Sequence, residues 1–182
     1  MKEDRIADLE ARAADEFGLT DEEMIELIEL KQSFVAGPAL VDLGVTDPAR
    51  FMTNLETISR RRDEADASGW LIEAIALSAY LLQLCLEIWV AGVIRETTGG
   101  VRWTLGQWIG YAEETGLDAD IVGRLRRFND GRNEAIHRLL RSNASYEDLR
   151  RVLDDDPAIV RVTLSRVAAK LPKVSGLRGN RW

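Results

Sequence analysis

The sequence predicts an all-α protein, and three observations on its 182 residues support this class. The long apolar segments repeat at intervals of three and four residues, which is the period of a helix that buries one face. No segment alternates apolar and polar residues over the length of a strand. Ser or Thr followed three residues later by an acidic or amide side chain recurs along the chain and indicates helix starts. We therefore expect a helical bundle around one core.

Composition narrows the class of protein further. Hydrophobic residues make up 46% of the chain and charged residues 30%, as in a globular protein. The single cysteine, Cys85, excludes an internal disulfide and a cysteine-rich zinc site. The first ten residues are charged and contain no apolar signal core, so we expect a cytoplasmic protein. No glycine-rich phosphate loop is present, and we expect neither a metal nor a cofactor.

Residues 1–45 are predicted to form an acidic N-terminal helical extension, packed on or beside the core. The pattern predicts helices over 2–17 and 21–35, with Gly18 ending the first and Thr20 opening a capping box for the second. Both helices are strongly acidic. They are either a docking arm for a partner or additional layers of the bundle.

Residues 46–172 are predicted to form the bundle itself, with a long apolar central helix over 70–96. An earlier helix begins at Asp47-Pro48, where Asp caps and Pro occupies the first turn. The stretch 74–94 is nearly all apolar and is long enough to cross a membrane. The carboxylate of Glu87 in its middle argues against a span, so we expect no membrane and a buried helix instead.

The later elements follow from similar local patterns. Thr104 opens a short helix with a capping box, Asp118 is predicted to cap the next helix, and Ser145 opens another. The acidic run 154–156 precedes Pro157 and is predicted to cap the last helix. Trp103 and Trp108 flank the Thr104 turn and are expected to pack it on the core, with base stacking as the alternative. Residues 173–182 are predicted to form a basic mobile tail.

The segment 128–140, FNDGRNEAIHRLL, contains the only histidine of the chain, His137. On a helical projection Arg132 falls in the middle of an apolar stripe that must be the buried face. The stripe consists of Ile121, Leu125, Phe128, Ala135 and Leu139. A guanidinium in this position is costly unless it is paired, because it cannot lose its proton.

Asn133 and His137 are four residues apart and share a neighbouring face of the same helix. Arg126, Asp130 and Arg141 lie near His137 on the projection. The plainer interpretation is a surface helix whose arginine reaches round to solvent on its long stem. The coincidence of a centred arginine, an adjacent asparagine and a lone histidine favours a functional site.

The central helix offers candidate partners for Arg132. Glu73, Tyr80 and Glu87 repeat at intervals of seven and therefore lie on one stripe of that helix. Buried charges need partners, so we expect Glu87 or Tyr80 to approach Arg132. The alternative is that Glu87 faces solvent through a gap in the bundle.

The string from Arg132 to His137, R-N-x-x-x-H, resembles the motif of the HEPN superfamily, all-helical proteins many of which are metal-independent endoribonucleases. The resemblance covers roughly residues 47–172, and residues 1–45 carry no such similarity. It implies a HEPN-like bundle with a catalytic cleft between two protomers. Arg132 and His137 match the catalytic positions, and Asn133 matches the polar residue that assists them.

RNA can be cleaved without a metal when its own 2′-hydroxyl attacks the phosphate. Histidine suits the proton transfers of this reaction, because its pKa lies near neutrality, and a planar arginine suits the phosphate oxygens. Asn133 can orient either group. One histidine per chain means that a two-imidazole mechanism needs two chains, which favours a homodimer. The products would be a 2′,3′-cyclic phosphate and a 5′-hydroxyl.

Charge is divided unevenly along the chain. Residues 1–100 hold 9 basic and 20 acidic side chains, a net charge of −11, whereas residues 101–182 hold 15 and 11, a net charge of +4. The net negative charge of the chain argues against a general nucleic-acid binder, although a local basic surface can hold an RNA backbone.

Two alternative functions remain. One is an inactive helical module that binds a protein or nucleotide. The other is a toxin-antitoxin or defence nuclease held by an inhibitory protein partner.

Overall fold

The computed structural model describes residues 2–31, 43, 45–96, 98, 101–141 and 145–172. These residues are all-helical and contain no β-strand, which confirms the predicted class. The helices are α1 (Lys2–Arg12), α2 (Asp21–Lys31), α3 (Pro48–Ala67), α4 (Leu71–Ile88), α5 (Leu105–Glu114), α6 (Ala119–Leu140), α7 (Tyr146–Asp154) and α8 (Ile159–Lys170). A π-helical segment, Trp89–Ile94, continues α4.

Helix α4 lies at the centre of the bundle and contacts α3, α5, α7 and α8. With its π-helical continuation it spans Leu71–Ile94, which is long and apolar enough to cross a membrane by length and composition. Most of its apolar stretch is buried inside the bundle, 61% by residue. That burial is typical of the core helix of a soluble protein.

The central helix does not stay α-helical to residue 96, as the sequence pattern predicts. It changes to a π-helix at Trp89 and ends at Arg95, whose φ of 65° is left-handed. The apolar period cannot distinguish the two helix types, because Trp89, Val90 and Ala91 are buried in either case. The indole Nε1 of Trp89 donates a hydrogen bond to Thr115 Oγ1 at 3.0 Å and ties this segment to the end of α5.

Most of the predicted helix starts are confirmed. The capping boxes opened by Thr104 and Ser145 are both formed. Thr20 exchanges the same pair of hydrogen bonds with Glu23 at 3.0 and 3.3 Å. Asp47 Oδ1 accepts from the backbone N–H of Arg50 at 3.0 Å. These contacts span three residues, and local sequence is sufficient to specify them.

Two aspartates predicted as caps bind distant arginines with their carboxylates instead of capping a helix with them. Asp118 is the N-cap residue of α6, as predicted, but its carboxylate accepts from Arg166 Nη1 at 2.8 Å and makes no capping hydrogen bond. Asp156 accepts two hydrogen bonds from Arg124, each 2.6 Å long, and does not cap α8. The acidic run 154–156 therefore lies at the C-terminal end of α7 and not at the start of the next helix.

The connection between α1 and α2 is held against α8. Helix α1 ends at Arg12, earlier than the predicted 17, and the chain turns at Gly18, whose φ is 66°. A Cβ there would lie 2.8 Å from Ser165 Oγ, so this close approach requires glycine. Arg166 Nη2 donates to the carbonyl of Ala14 at 2.6 Å. The loop is thus fastened to α8 by side chains from that helix.

A buried lysine joins the N-terminal helices to the end of α8. Lys31 is 2% exposed, and its ammonium donates to the carbonyls of Ala168, Ala169 and Leu171 at 3.1, 2.6 and 3.0 Å. It also pairs with Glu10 of α1 at 2.8 Å. The cation satisfies carbonyls that a helix end leaves without partners. Predictions for residues 32–42 and for 173–182 lie outside the described residues.

Helix α6 packs mainly on α5, α7 and α8, and each of these also contacts α4. The expected approach of Glu87 or Tyr80 to Arg132 would place α6 beside the central helix, whereas its main neighbours are other helices. A periodic apolar face shows that a helix is buried, but it does not identify the neighbour.

Candidate functional site

Arg132 lies half-buried on α6 and is held by two asparagines. Its Nη2 donates to Asn129 Oδ1 at 3.0 Å and to Asn133 Oδ1 at 2.9 Å. No carboxylate pairs with it in the part of the chain that the structure describes. Burial lowers the pKa of the guanidinium. The side chain is therefore a partly desolvated positive charge supported by neutral groups only.

The surroundings of Arg132 match the predicted apolar stripe. Ile121, Leu125, Phe128 and Ala135 are each at most 5% exposed, and Leu139 is partly buried. The stripe is thus buried, as the helical projection predicts, and Arg132 is only half-buried.

The predicted partners of Arg132 on the central helix do not bond to it. Glu87 accepts instead from Gln83 Nε2 at 2.8 Å, one turn earlier on its own helix. Tyr80 is 53% exposed. The predicted pair is wrong for a simple reason: α6 packs mainly on helices other than α4, and asparagines on its own surface are close enough to bond.

Asn133 and His137 lie on the exposed side of α6, one helical turn apart. Asp130 shares this side and is also exposed. The imidazole has no hydrogen-bond partner among the residues described. Arg132 and Asn133 are in direct contact, and His137 follows them along the same helix.

The two predicted substrate-binding arginines differ in their environment. Arg126 Nη2 is ion-paired with Glu113 of α5, and both side chains are exposed. Arg141 follows the last residue of α6, is exposed, and has no side-chain partner within the described ranges. Of the two, Arg141 has its charge available for a ligand, whereas Arg126 must first leave Glu113.

Asn129 belongs to the site and was missed by the sequence prediction. It precedes Arg132 by three residues, a spacing at which helical side chains meet, and this spacing was the signal available. Its side-chain amide also faces the first turn of α5, because a Cβ on Gly106 would lie 3.5 Å from Asn129 Nδ2. The N-terminal end of a helix carries partial positive charge, so α5 adds to the positive potential here.

The arrangement is suited to bind an oxyanion. Only Nη2 of Arg132 is used, which leaves Nε and Nη1 without hydrogen bonds to the described residues. Both asparagines offer their oxygens to the arginine, and their amide N–H groups therefore remain as donors. Phosphate accepts from such a set of donors. No group of three or more His, Cys, Asp or Glu side chains that could hold a metal ion occurs in the residues described.

Comparison with protein-family models, with curated proteins and with solved structures found no match. The resemblance to HEPN proteins consequently rests on the string from Arg132 to His137 and on its position late in an all-helical chain.

Proposed function

We propose that this protein is a metal-independent endoribonuclease with a HEPN-like fold, and that Arg132, Asn133 and His137 form its active site. The observation that carries the proposal is the environment of Arg132. Its guanidinium is half-buried, has amide neighbours and has no carboxylate partner in the described chain. Removing such a charge partly from water costs free energy. A bound phosphate would offset that cost through charge-assisted hydrogen bonds.

In the proposed reaction the 2′-hydroxyl of RNA attacks the adjacent phosphorus, and the bond from phosphorus to the 5′-oxygen breaks. Arg132 stabilises the negative charge that develops on the phosphate oxygens, through donors that are in place before the reaction. One His137 imidazole accepts the proton of the 2′-hydroxyl and a second donates a proton to the leaving 5′-oxygen, and the exposed position of His137 gives access to substrate. Asn133 holds the guanidinium through its 2.9 Å hydrogen bond.

We further propose that the active protein is a homodimer with the two His137 faces opposed. The reaction needs a base and an acid, and each chain supplies one imidazole. Two-fold symmetry places two copies of the same face against each other, so both imidazoles would enter one cleft. The exposed side of α6 with Asn133 and His137 is available for this contact.

Mixing of subunits tests the shared cleft. Wild-type chains and His137→Ala chains are combined in equal amounts and allowed to exchange, and RNA cleavage is then measured. If each cleft needs both imidazoles, only dimers of two wild-type chains are active, and activity falls to about a quarter of the all-wild-type value. A fall to one half, or a monomer in sedimentation that still cleaves RNA, would contradict the shared cleft.

A second candidate function is a catalytically inactive module that binds a protein or a nucleotide through the same face. It is favoured by the absence, in the described residues, of any hydrogen bond that orients His137, since a catalytic base is usually oriented by a third group. The acidic N-terminal half would then serve to recognise the partner. The separate alternative, a toxin or defence nuclease, would stay inhibited until its protein partner is released.

The deciding experiment measures cleavage of RNA by the purified protein in EDTA. His137→Ala is expected to lower the rate about 10²–10⁴-fold, the usual contribution of a general acid or base. Arg132→Lys is also expected to lower the rate of RNA cleavage, because an ammonium cannot present two parallel donors to phosphate. Arg138→Ala is the matched control: it lies on α6 but pairs with Glu134 at 2.5 Å, and its activity should be unchanged.

Two results would replace the nuclease with the binding module. The first is that the wild-type protein, freed of any partner that copurifies with it, cleaves no RNA. The second is that His137→Ala cleaves RNA as fast as the wild type.

A further inference from the structure

A second cleft lies on α6, beside the end of α7 and distinct from the Arg132 face. It has a volume of about 210 Å³. Its lining comes from α6 and from the C-terminal end of α7, and consists of Arg124, Arg127, Phe128, Gly131, Val152, Asp155 and Asp156. This volume is below the roughly 300–1,000 Å³ of pockets that hold drug-sized ligands, and it therefore suits a single planar ring system.

Two of the charged groups in this cleft already satisfy each other. Arg124 and Asp156 form a pair with two hydrogen bonds of 2.6 Å. Arg124 Nη1 additionally donates to the carbonyl of Glu16 at 3.3 Å. These contacts fix one wall of the cleft and leave its other two charged groups to a ligand.

Arg127 and Asp155 are the remaining charged groups, and both are exposed. Neither side chain has an ion-pair or hydrogen-bond partner in the described chain, and they do not pair with each other. Asp155 caps the C-terminal end of α7, where the helix dipole is unfavourable for a carboxylate. Its neighbours in the acidic run are compensated, because Arg124 binds Asp156 and Arg150 lies 3.9 Å from Asp154. Of the three carboxylates in this run, only that of Asp155 has no cationic partner among the described residues.

The floor of the cleft is apolar and open. Phe128 and Val152 are 5% and 7% exposed. Gly131 also lines the cleft, and a Cβ there would have Val152 Cγ2, at 3.8 Å, as its only neighbour within 4 Å. Packing within the chain therefore does not require glycine at this position, although glycine weakens a helix interior. Its effect is to keep the cleft open.

We propose that this cleft binds a guanine nucleotide, with Asp155 accepting hydrogen bonds from the base and Arg127 facing the phosphate. Guanine presents two adjacent N–H donors on its Watson–Crick edge, which match the two oxygens of one carboxylate. The other bases place an acceptor next to each donor on that edge, and a carboxylate repels it. Within the proposed ribonuclease the cleft would hold a guanosine of the RNA away from the cleaved bond, and only that role rests on the proposed function.

Calorimetric titration of the full chain with GMP, AMP, CMP and UMP at low ionic strength tests the proposal. GMP is expected to bind about tenfold or more tightly than the others, as a bidentate base contact provides. Asp155→Asn should remove this preference, because an amide has one acceptor. The matched control is Asp154→Asn, which makes the same charge change one residue away and should keep the preference. Gly131→Leu, verified as folded by circular dichroism, should abolish binding.

Titration with short single-stranded RNAs carrying one guanine or one adenine distinguishes the two sources of the ligand, and His137→Ala protein prevents cleavage during the measurement. Tighter binding of the guanine RNA than of GMP supports the cleft as an RNA subsite, and equal binding supports a free nucleotide. The proposal is overturned if the four nucleotides bind alike, if none binds, or if Asp154→Asn and Asp155→Asn behave alike. If the protein binds guanine nucleotides but cleaves no RNA, the proposed guanine-binding cleft is supported and only the proposed ribonuclease activity is refuted.

Discussion

At the scale of single residues, the partners of Arg132 matter more than its position. Asn129 and Asn133 hold the guanidinium through neutral oxygens and leave its charge uncompensated within the described chain. A carboxylate in the place of either amide would neutralise the charge and compete with any phosphate. The amides are therefore the groups that keep the site selective for anions.

The first prediction follows from this contrast. Asn129→Asp should reduce RNA binding and cleavage at least about tenfold, because the new carboxylate occupies Arg132 and repels phosphate. The same change should leave the free energy of unfolding equal or raise it by up to about 1 kcal/mol through the new ion pair. Cleavage rates and urea unfolding measure the two effects.

Asn54→Asp is the control for Asn129→Asp, because it makes the identical chemical change at an exposed position of α3. It should change neither the rate of RNA cleavage nor the free energy of unfolding. Equal activity of the Asn129→Asp and wild-type proteins would show that Arg132 does not contact the phosphate.

At the scale of elements, α6 carries both proposed sites on different sides. Asn129, which holds Arg132, faces the first turn of α5, whereas Arg127 and Gly131 line the cleft with α7. The two sites therefore lie on one rigid helix. At Gly131 helix stability and function make opposite demands, because glycine weakens α6 but leaves room for a ligand in the cleft.

Gly131→Ala should stabilise the protein by about 0.5–1 kcal/mol, because alanine has the better helix propensity and its Cβ meets nothing closer than 3.8 Å. The midpoint of urea unfolding measures this change. Gly116→Ala serves as the opposite control, since its φ of 89° is strained for any other residue, and it should destabilise. A destabilised Gly131→Ala protein would mean that α6 is bent or crowded at this point.

At the scale of the whole molecule, several carboxylates ionise more readily in the folded chain than usual. The backbone N–H groups of Thr20 and Ser145 lower the pKa of Glu23 and of Asp148, and the Arg5 guanidinium lowers the pKa of Glu26. The pKa of Asp63 shifts in the opposite direction, because partial burial raises it. Groups that stabilise the fold when ionised therefore predominate among these four.

The protein should consequently lose stability in acid. A lowered carboxyl pKa contributes stability above the ordinary carboxyl pKa and loses it as the pH falls through the folded value. The urea midpoint should be level from pH 7 to about pH 5 and then fall towards pH 3, with Asp63 offsetting a part of the loss. Asp148→Asn should lower the midpoint at pH 7 and reduce its dependence on pH. An unchanged wild-type midpoint at pH 3 would contradict this account.

Features that depend on neighbours within four residues could be read from the sequence. These include the all-helical class, the capping boxes at Thr104 and Ser145, and the burial of the stripe that surrounds Arg132. Each follows from the helical repeat or from a hydrogen bond across three residues. Even Asn129 was within reach of this reasoning, since it is three residues from Arg132.

Only the tertiary structure decided which distant groups meet. The carboxylates of Asp118 and Asp156 bind arginines 48 and 32 residues away instead of making capping hydrogen bonds. Glu87 bonds to Gln83 and not to Arg132. The cleft of Arg127 and Asp155 exists because α7 ends beside the middle of α6. An apolar stripe specifies that a face is buried but not what covers it. The partners of charged groups therefore follow from the packing of all the helices together.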